Sequence, residues 1–109
     1  MANMFKLKTK ANVGVSTVGI YTAPAATTTV VIGITMANTS GSGVNVGVGI
    51  TRAGTTEDVK LLKNAPIPQG SSLEFMGGNK VVLETTDTLT VDSDTNNSVD
   101  AALTIMEIT

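Results

Sequence analysis

The sequence predicts an all-β fold, a single-domain antiparallel β-sandwich of jelly-roll-like type with eight or nine short strands. Three observations carry that prediction. Apolar residues alternate with polar or small ones, most clearly in Val44-Asn45-Val46-Gly47-Val48-Gly49-Ile50-Thr51, and a period of two sends the two sets to opposite faces of a strand. Clusters of Gly, Asn, Ser, Asp and Pro interrupt these runs at short intervals, where turns require them. No segment holds a helical period over three turns. At 109 residues the chain has the size of one domain, and it contains no internal repeat or linker.

In chain order, Phe5 and Leu7 alternate with Lys6 and Lys8, the pattern of an edge strand guarded by lysines. Residues 1–10 are therefore expected to form an N-terminal arm or edge strand, and 11–109 the sandwich. Residues 13–22 read as a second strand, with Val13, Val15 and Ile20 turned inward, ended by Pro24, which lacks a backbone donor. Residues 28–38 form the strongest strand pattern, placing Val30, Ile32, Ile34 and Met36 on one face. The turn-rich Asn38-Thr39-Ser40-Gly41-Ser42-Gly43 should join that strand to 44–52 as a hairpin.

Residues 53–55 turn into 58–63, which carries Val59 and Leu61; a single helical turn over 56–63 is the competing reading. Pro66 and Pro68, one residue apart, make 64–70 a connector. Strands 72–76 and 80–84 flank Gly77-Gly78-Asn79, and 88–92 and 99–108 flank a polar loop. Both pairs read as hairpins.

The composition limits the chemistry. The chain has no His and no Cys, which removes the side chains most used as bases, nucleophiles and metal ligands near neutral pH. Seven Lys and Arg against nine Asp and Glu give a net charge of −2, without the basic footprint of a nucleic-acid binder. No apolar stretch approaches the ~20 residues of a membrane span, and the N-terminus has no apolar signal core. Three aromatics, Phe5, Tyr21 and Phe75, leave little for sugars to stack on.

Candidate chemistry is correspondingly thin. Asp92-Ser93-Asp94-Thr95-Asn96 matches the first ligand positions of an EF-hand loop, but Asn97 and Leu103 stand where glycine and the bidentate glutamate belong. Asp100 could join Asp92 and Asp94 around a cation at a loop tip, but a solvated hairpin turn, where Asp and Asn are common for conformational reasons, is the preferred reading. Glu84, Asp87 and Glu107 are the carboxylates available for paired acid–base work, and they sit where strand ends need polar groups. Gly41-Ser42-Gly43 and Gly77-Gly78 precede no helix and so are not phosphate loops. The expectation is no catalytic residue, no cofactor, no metal and no enzyme.

What remains is surface. Phe5, Lys6, Leu7, Lys8 and Lys10 make a basic and apolar first strand able to dock on a partner, with edge protection as the alternative. Gly47 and Gly49 lie on the open face of 44–51, where bare backbone permits close approach by another chain or a bulge.

The layout of Ile20-Tyr21-Thr22-Ala23-Pro24-Ala25, of Leu62-Lys63-Asn64-Ala65-Pro66-Ile67-Pro68-Gln69-Gly70, of Asn79-Lys80-Val81-Val82-Leu83-Glu84 and of the closing Asp100–Ile108 run resembles the small all-β virion structural proteins of tailed bacteriophages. The resemblance covers residue 20 to the end. It implies a capsid decoration or cement protein, acting as a homotrimer on the major capsid protein at the capsid surface of the virion after synthesis in the host cytoplasm, with no direct contact to nucleic acid or membrane. The alternatives are a phage tail, neck or fibre component, or a small ligand- or glycan-binding β-sandwich module.

Overall fold

The computed structural model describes residues 3–52, 57–75 and 80–109. Nine strands follow one another: β1 (Asn3–Val13), β2 (Val18–Thr22), β3 (Thr28–Asn38), β4 (Val44–Thr51), β5 (Asp58–Ile67), β6 (Ser72–Phe75), β7 (Val81–Leu83), β8 (Thr88–Ser93) and β9 (Val99–Ile108). One sheet has the order β1-β9-β3-β6, with β7 also on β3; the other has the order β2-β8-β4-β5. Every pairing is antiparallel. β6 pairs residues 34–37 of β3 and β7 pairs residues 29–31, so the two are successive pieces of one interrupted edge. Counted that way, the molecule is two four-stranded sheets through which the chain passes back and forth, the jelly-roll arrangement the sequence predicts.

Three expected hairpins are corrected by this topology. β3 and β4 lie in different sheets, as do β8 and β9, so their polar loops are arches across the sandwich. β6 and β7 both pair with β3. Turn-rich residues mark a reversal of the chain, and an arch between sheets needs a reversal as much as a hairpin does. Among the described strands, the sole sequential pair is β4 with β5, and its connecting residues 53–56, like the Gly77-Gly78-Asn79 turn, lie outside the described residues.

Strand bounds shift for identifiable reasons. β1 runs on to Val13, and Asn12 adopts a left-handed φ of 58° where the register of β1 on β9 slips. Val13 thus closes β1 and Val15 stands exposed in the link to β2. A bulge in β3 between Val31 and Gly33 reverses the inward parity. Thr29 and Val31, then Ile34 and Met36, face the core, while Val30 and Ile32 are only half-buried. β5 continues through Asn64, at φ 55°, to Ile67 and includes Pro66. Because β5 is the outer strand of its sheet, Pro66 pairs with Asn45 while its missing N–H costs no inner ladder bond.

The two sheets close on one aliphatic core. Val13, Val31, Ile34, Met36, Leu83, Leu103 and Ile105 come from the first sheet, and Val44, Val46, Val48, Ile67, Leu89 and Val91 from the second. Three buried polar residues hold the arches. Asn38 donates to the carbonyls of Ser42 and Ile67 at 2.8 and 2.9 Å, and its oxygen accepts from the Ser40 amide at 2.9 Å. Ser93 and Ser98 share a hydroxyl bond at 2.7 Å, and Ser98 donates on to the Thr95 carbonyl.

Candidate interaction surface

β1 is the free edge of the first sheet, and its residues alternate between the two faces. Lys6 lies opposite Ile105 and Lys8 opposite Leu103, both core residues, so these lysines point toward the inter-sheet side and are half-buried. Phe5 and Leu7 point the other way and are 69% and 65% exposed. Lys10 is exposed. The first-strand candidates therefore do not form one patch: the lysines and the large apolar side chains occupy opposite faces.

Lys6 belongs to a network that the sequence reading missed. Its ammonium pairs with Glu107 at 2.8 Å, and the Glu107 side chain is only 8% exposed. The Tyr21 hydroxyl donates to the other oxygen of Glu107 and shares a 2.8 Å bond with the Thr29 hydroxyl. Since the tyrosine proton goes to the carboxylate, the Thr29 hydroxyl donates to the tyrosine oxygen. Hydrogen bonds from Lys6 and then Tyr21 hold the Glu107 carboxyl below its ordinary range, against the opposing effect of burial. Burial first, and the adjacent Glu107 second, push the Tyr21 phenol up to about 12. The network ties the edge strand β1 to β9, β2 and β3.

The other carboxylates singled out from the sequence also have partners. Arg52 at the end of β4 bonds Glu84 through one terminal nitrogen and Asp87 through Nε at 3.0 Å. Asp87 also accepts the Glu84 amide at 3.0 Å. Glu84 and Asp87 thus share one guanidinium, and Glu107 is held in the separate Lys6–Tyr21 network. Asp92 takes the Thr17 hydroxyl at 3.1 Å and lies 3.6 Å from Lys60. Asp94 accepts the Asn45 amide and Asp100 the Asn12 amide. Among the described residues no group of three His, Cys, Asp or Glu side chains is placed to hold a metal ion.

Gly47 and Gly49 do not present an open face. Both are buried. A Cβ on Gly47 would stand 2.6 Å from the Asp92 carboxylate and 3.2 Å from the Leu62 carbonyl, and one on Gly49 would stand 2.9 Å from the Val59 carbonyl. The backbone that approaches these glycines is the chain's own β5, whose register slips twice against β4 at this point.

Apolar exposure instead collects on the outer face of the first sheet. Phe5 pairs with Met106, Met106 with Val30 and Val30 with Val82, a row across four strands. Further along the same face, Thr9 pairs with Ala102 and Ala102 with Thr35, beside Ala11 and Ala37. These small residues line a shallow hollow of about 360 Å³. The charged residues of this face are few: Glu74 on the edge strand β6, and Asp100 and Lys10, which also line the hollow. The outer face of the second sheet is polar by contrast, with the Lys60–Asp92 pair, Thr17 on Asp92, and the Thr22–Thr88 hydroxyl pair at 2.9 Å.

No family model matches the chain, and no curated protein matches its sequence. Solved structures share its fold. A chain of the infectious bursal disease virus particle is 16% identical with a TM-score of 0.59, covering 96% of this chain and 30% of that one. This chain thus spans about a third of the length of that viral protein. A chain from the acid-stable capsid of Helicobacter pylori bacteriophage KHP30 is 10% identical with a TM-score of 0.58, covering 98% of this chain and 87% of that one. A subunit of the disulfide-linked pili described as Bacillus endospore appendages is 13% identical, with a TM-score of 0.55 and coverages of 97% and 84%.

Proposed function

We propose that this chain is a structural virion protein, a bacteriophage capsid decoration or cement protein that stabilises the head through subunit interfaces. The observation that carries the reading is a single jelly roll that is nearly the whole of the chain and leaves one sheet face apolar. The likeness to a phage KHP30 capsid chain runs almost end to end on both sides, which favours a protein of this size acting as one such domain. In this reading the role follows from shape and burial.

In this reading the major capsid protein is the partner, met along the free edge of β1, where unpaired backbone groups accept an added strand and Lys10 offers positive charge. Many weak attachments over a shell act together because each bound copy holds the next attachment at high effective concentration. The likeness to the pilus subunit supports a second reading as an appendage protein. That polymer is described as disulfide-linked, and this chain has no cysteine to join in the same way.

The test is co-sedimentation of the purified chain with phage heads that lack it. Saturable binding to heads, weakened when Lys10 is replaced by Glu, supports the proposal. Binding only to tails, or to neither, refutes it.

A further inference from the structure

We infer that the outer face of the first sheet is the contact between two copies of this chain, packed face to face about a two-fold axis. The inference concerns the isolated protein and does not depend on where in a virion it works.

Self-pairing is favoured by the relief of the face. Its bulky end carries Phe5, Leu7 and Met106, and its hollow end is lined by Thr9, Ala11 and Ala37. A two-fold axis lying in the interface, across the strands at the level of Lys8, brings Phe5 over Ala11 of the second copy and Leu7 over Thr9. The same operation seats the second copy's bulky end in the first copy's hollow. An isologous contact requires this: residue i meets j, and j meets i. A face with ridge and hollow at opposite ends is its own complement.

Size and charge agree. With strands ~4.8 Å apart and a rise of ~3.3 Å per residue, four strands over nine residues cover about 570 Å² in projection. Two such faces remove roughly 1,100 Å² before the relief of the side chains is counted, at the lower bound of stable interfaces. Glu74 sits on the edge strand β6, and the hollow itself is lined by one cation and one anion, Lys10 and Asp100, so pairing buries no row of like charges even though the chain as a whole is acidic. The polar outer face of the second sheet offers no such surface. The inferred unit in solution is a pair, where the sequence led to the expectation of a homotrimer.

Sedimentation equilibrium on the full chain tests this. Two chains of 11.1 kDa give about 22 kDa, and that mass is the expected result. Phe5→Glu places an unpaired carboxylate in the buried contact and should weaken association by about 100-fold. Ala37→Arg should fill the hollow and act in the same direction. Both sites are on the solvent side of the free chain, so circular dichroism should show an unchanged fold. Val15→Glu, on an exposed link away from the face, should pair like the parent. A parent mass of 11.1 kDa or of about 33 kDa overturns the inference, as does a Phe5→Glu chain that stays paired. A parent that is monomeric yet loses binding to heads on Phe5→Glu also overturns it, by assigning the face to the shell protein.

Discussion

Replacing Tyr21 by Phe tests the network that fastens the edge strand. The ring stays buried and only the hydroxyl is lost. That hydroxyl donates to Glu107 and accepts from Thr29, and both partners are buried, at 6% and 0% exposure. Each is left short of a partner at a cost of ~1–3 kcal/mol, and Glu107 keeps Lys6, so the net loss is expected at about 2–3 kcal/mol. For a domain of about this size that corresponds to a fall in Tm of roughly 8–20 °C.

The pH dependence follows from the direction of the Glu107 shift. Its carboxyl is depressed in the folded protein, so the stabilisation is complete above the unfolded value near pH 4.5 and is lost as pH falls through the lower folded value. Without the tyrosine bond the folded value rises toward the unfolded one. The acid limb of the variant should therefore carry less stability loss between pH 4.5 and the folded value than the parent's. Urea unfolding followed by circular dichroism at pH 7, and at steps down to about pH 2, measures both effects. A loss under about 0.5 kcal/mol with an unchanged acid limb refutes the reasoning, because a hydroxyl that matters must show in at least one of them.

Three further outcomes follow from the same geometry. Gly49→Ala sets a methyl group 2.9 Å from the Val59 carbonyl and should cost about 1–3 kcal/mol by overpacking, while Gly41→Ala, with nothing within 4 Å, should change the urea midpoint little. Thr86 holds a φ of 68°, a left-handed conformation hard on a β-branched residue, so Thr86→Gly should raise stability by about 0.5–1 kcal/mol in the same assay. Asn38→Ala removes two donated bonds, to Ser42 and Ile67, and two accepted from Ser40, and should cost about 2–3 kcal/mol; Asn38→Asp, which keeps the acceptor but loses the donors, should not restore it.

The fold class was legible because alternation and turn chemistry are local. Val44, Val46, Val48 and Ile50 face the core as the pattern requires. Strand pairing was not legible. Asn38–Gly43 and Asp92–Ser98 mark reversals, but whether a reversal stays within one sheet or crosses to the other depends on which strand arrives to cover the free edge, and that is a property of distant segments. The parity of β3 failed at one residue, where a bulge adds a side chain; Gly33, inside the strand pattern, was the available mark. Pro66 misled in the same way: it excludes an inner strand and not an outer one.

The surface was legible in part. Phe5 and Leu7 alternate visibly with Lys6 and Lys8, but the sequence does not say which set faces the core. On β1 the lysines take the inward side, where Glu107 of β9 provides a buried partner for Lys6. A carboxylate two residues from the C-terminus gave no sign of burial, although its place beside Ile105 on an alternating strand was the available clue. Gly47 and Gly49 did mark a close backbone approach, and the approaching backbone proved to be β5 of the same chain.

Cryo-electron microscopy of the intact particle, with this chain located in the density, tests the central claim most directly. The account predicts many copies on the outside of the head, each set on the shell by the free edge of β1. Density confined to the tail or neck, or a particle without this chain, contradicts it.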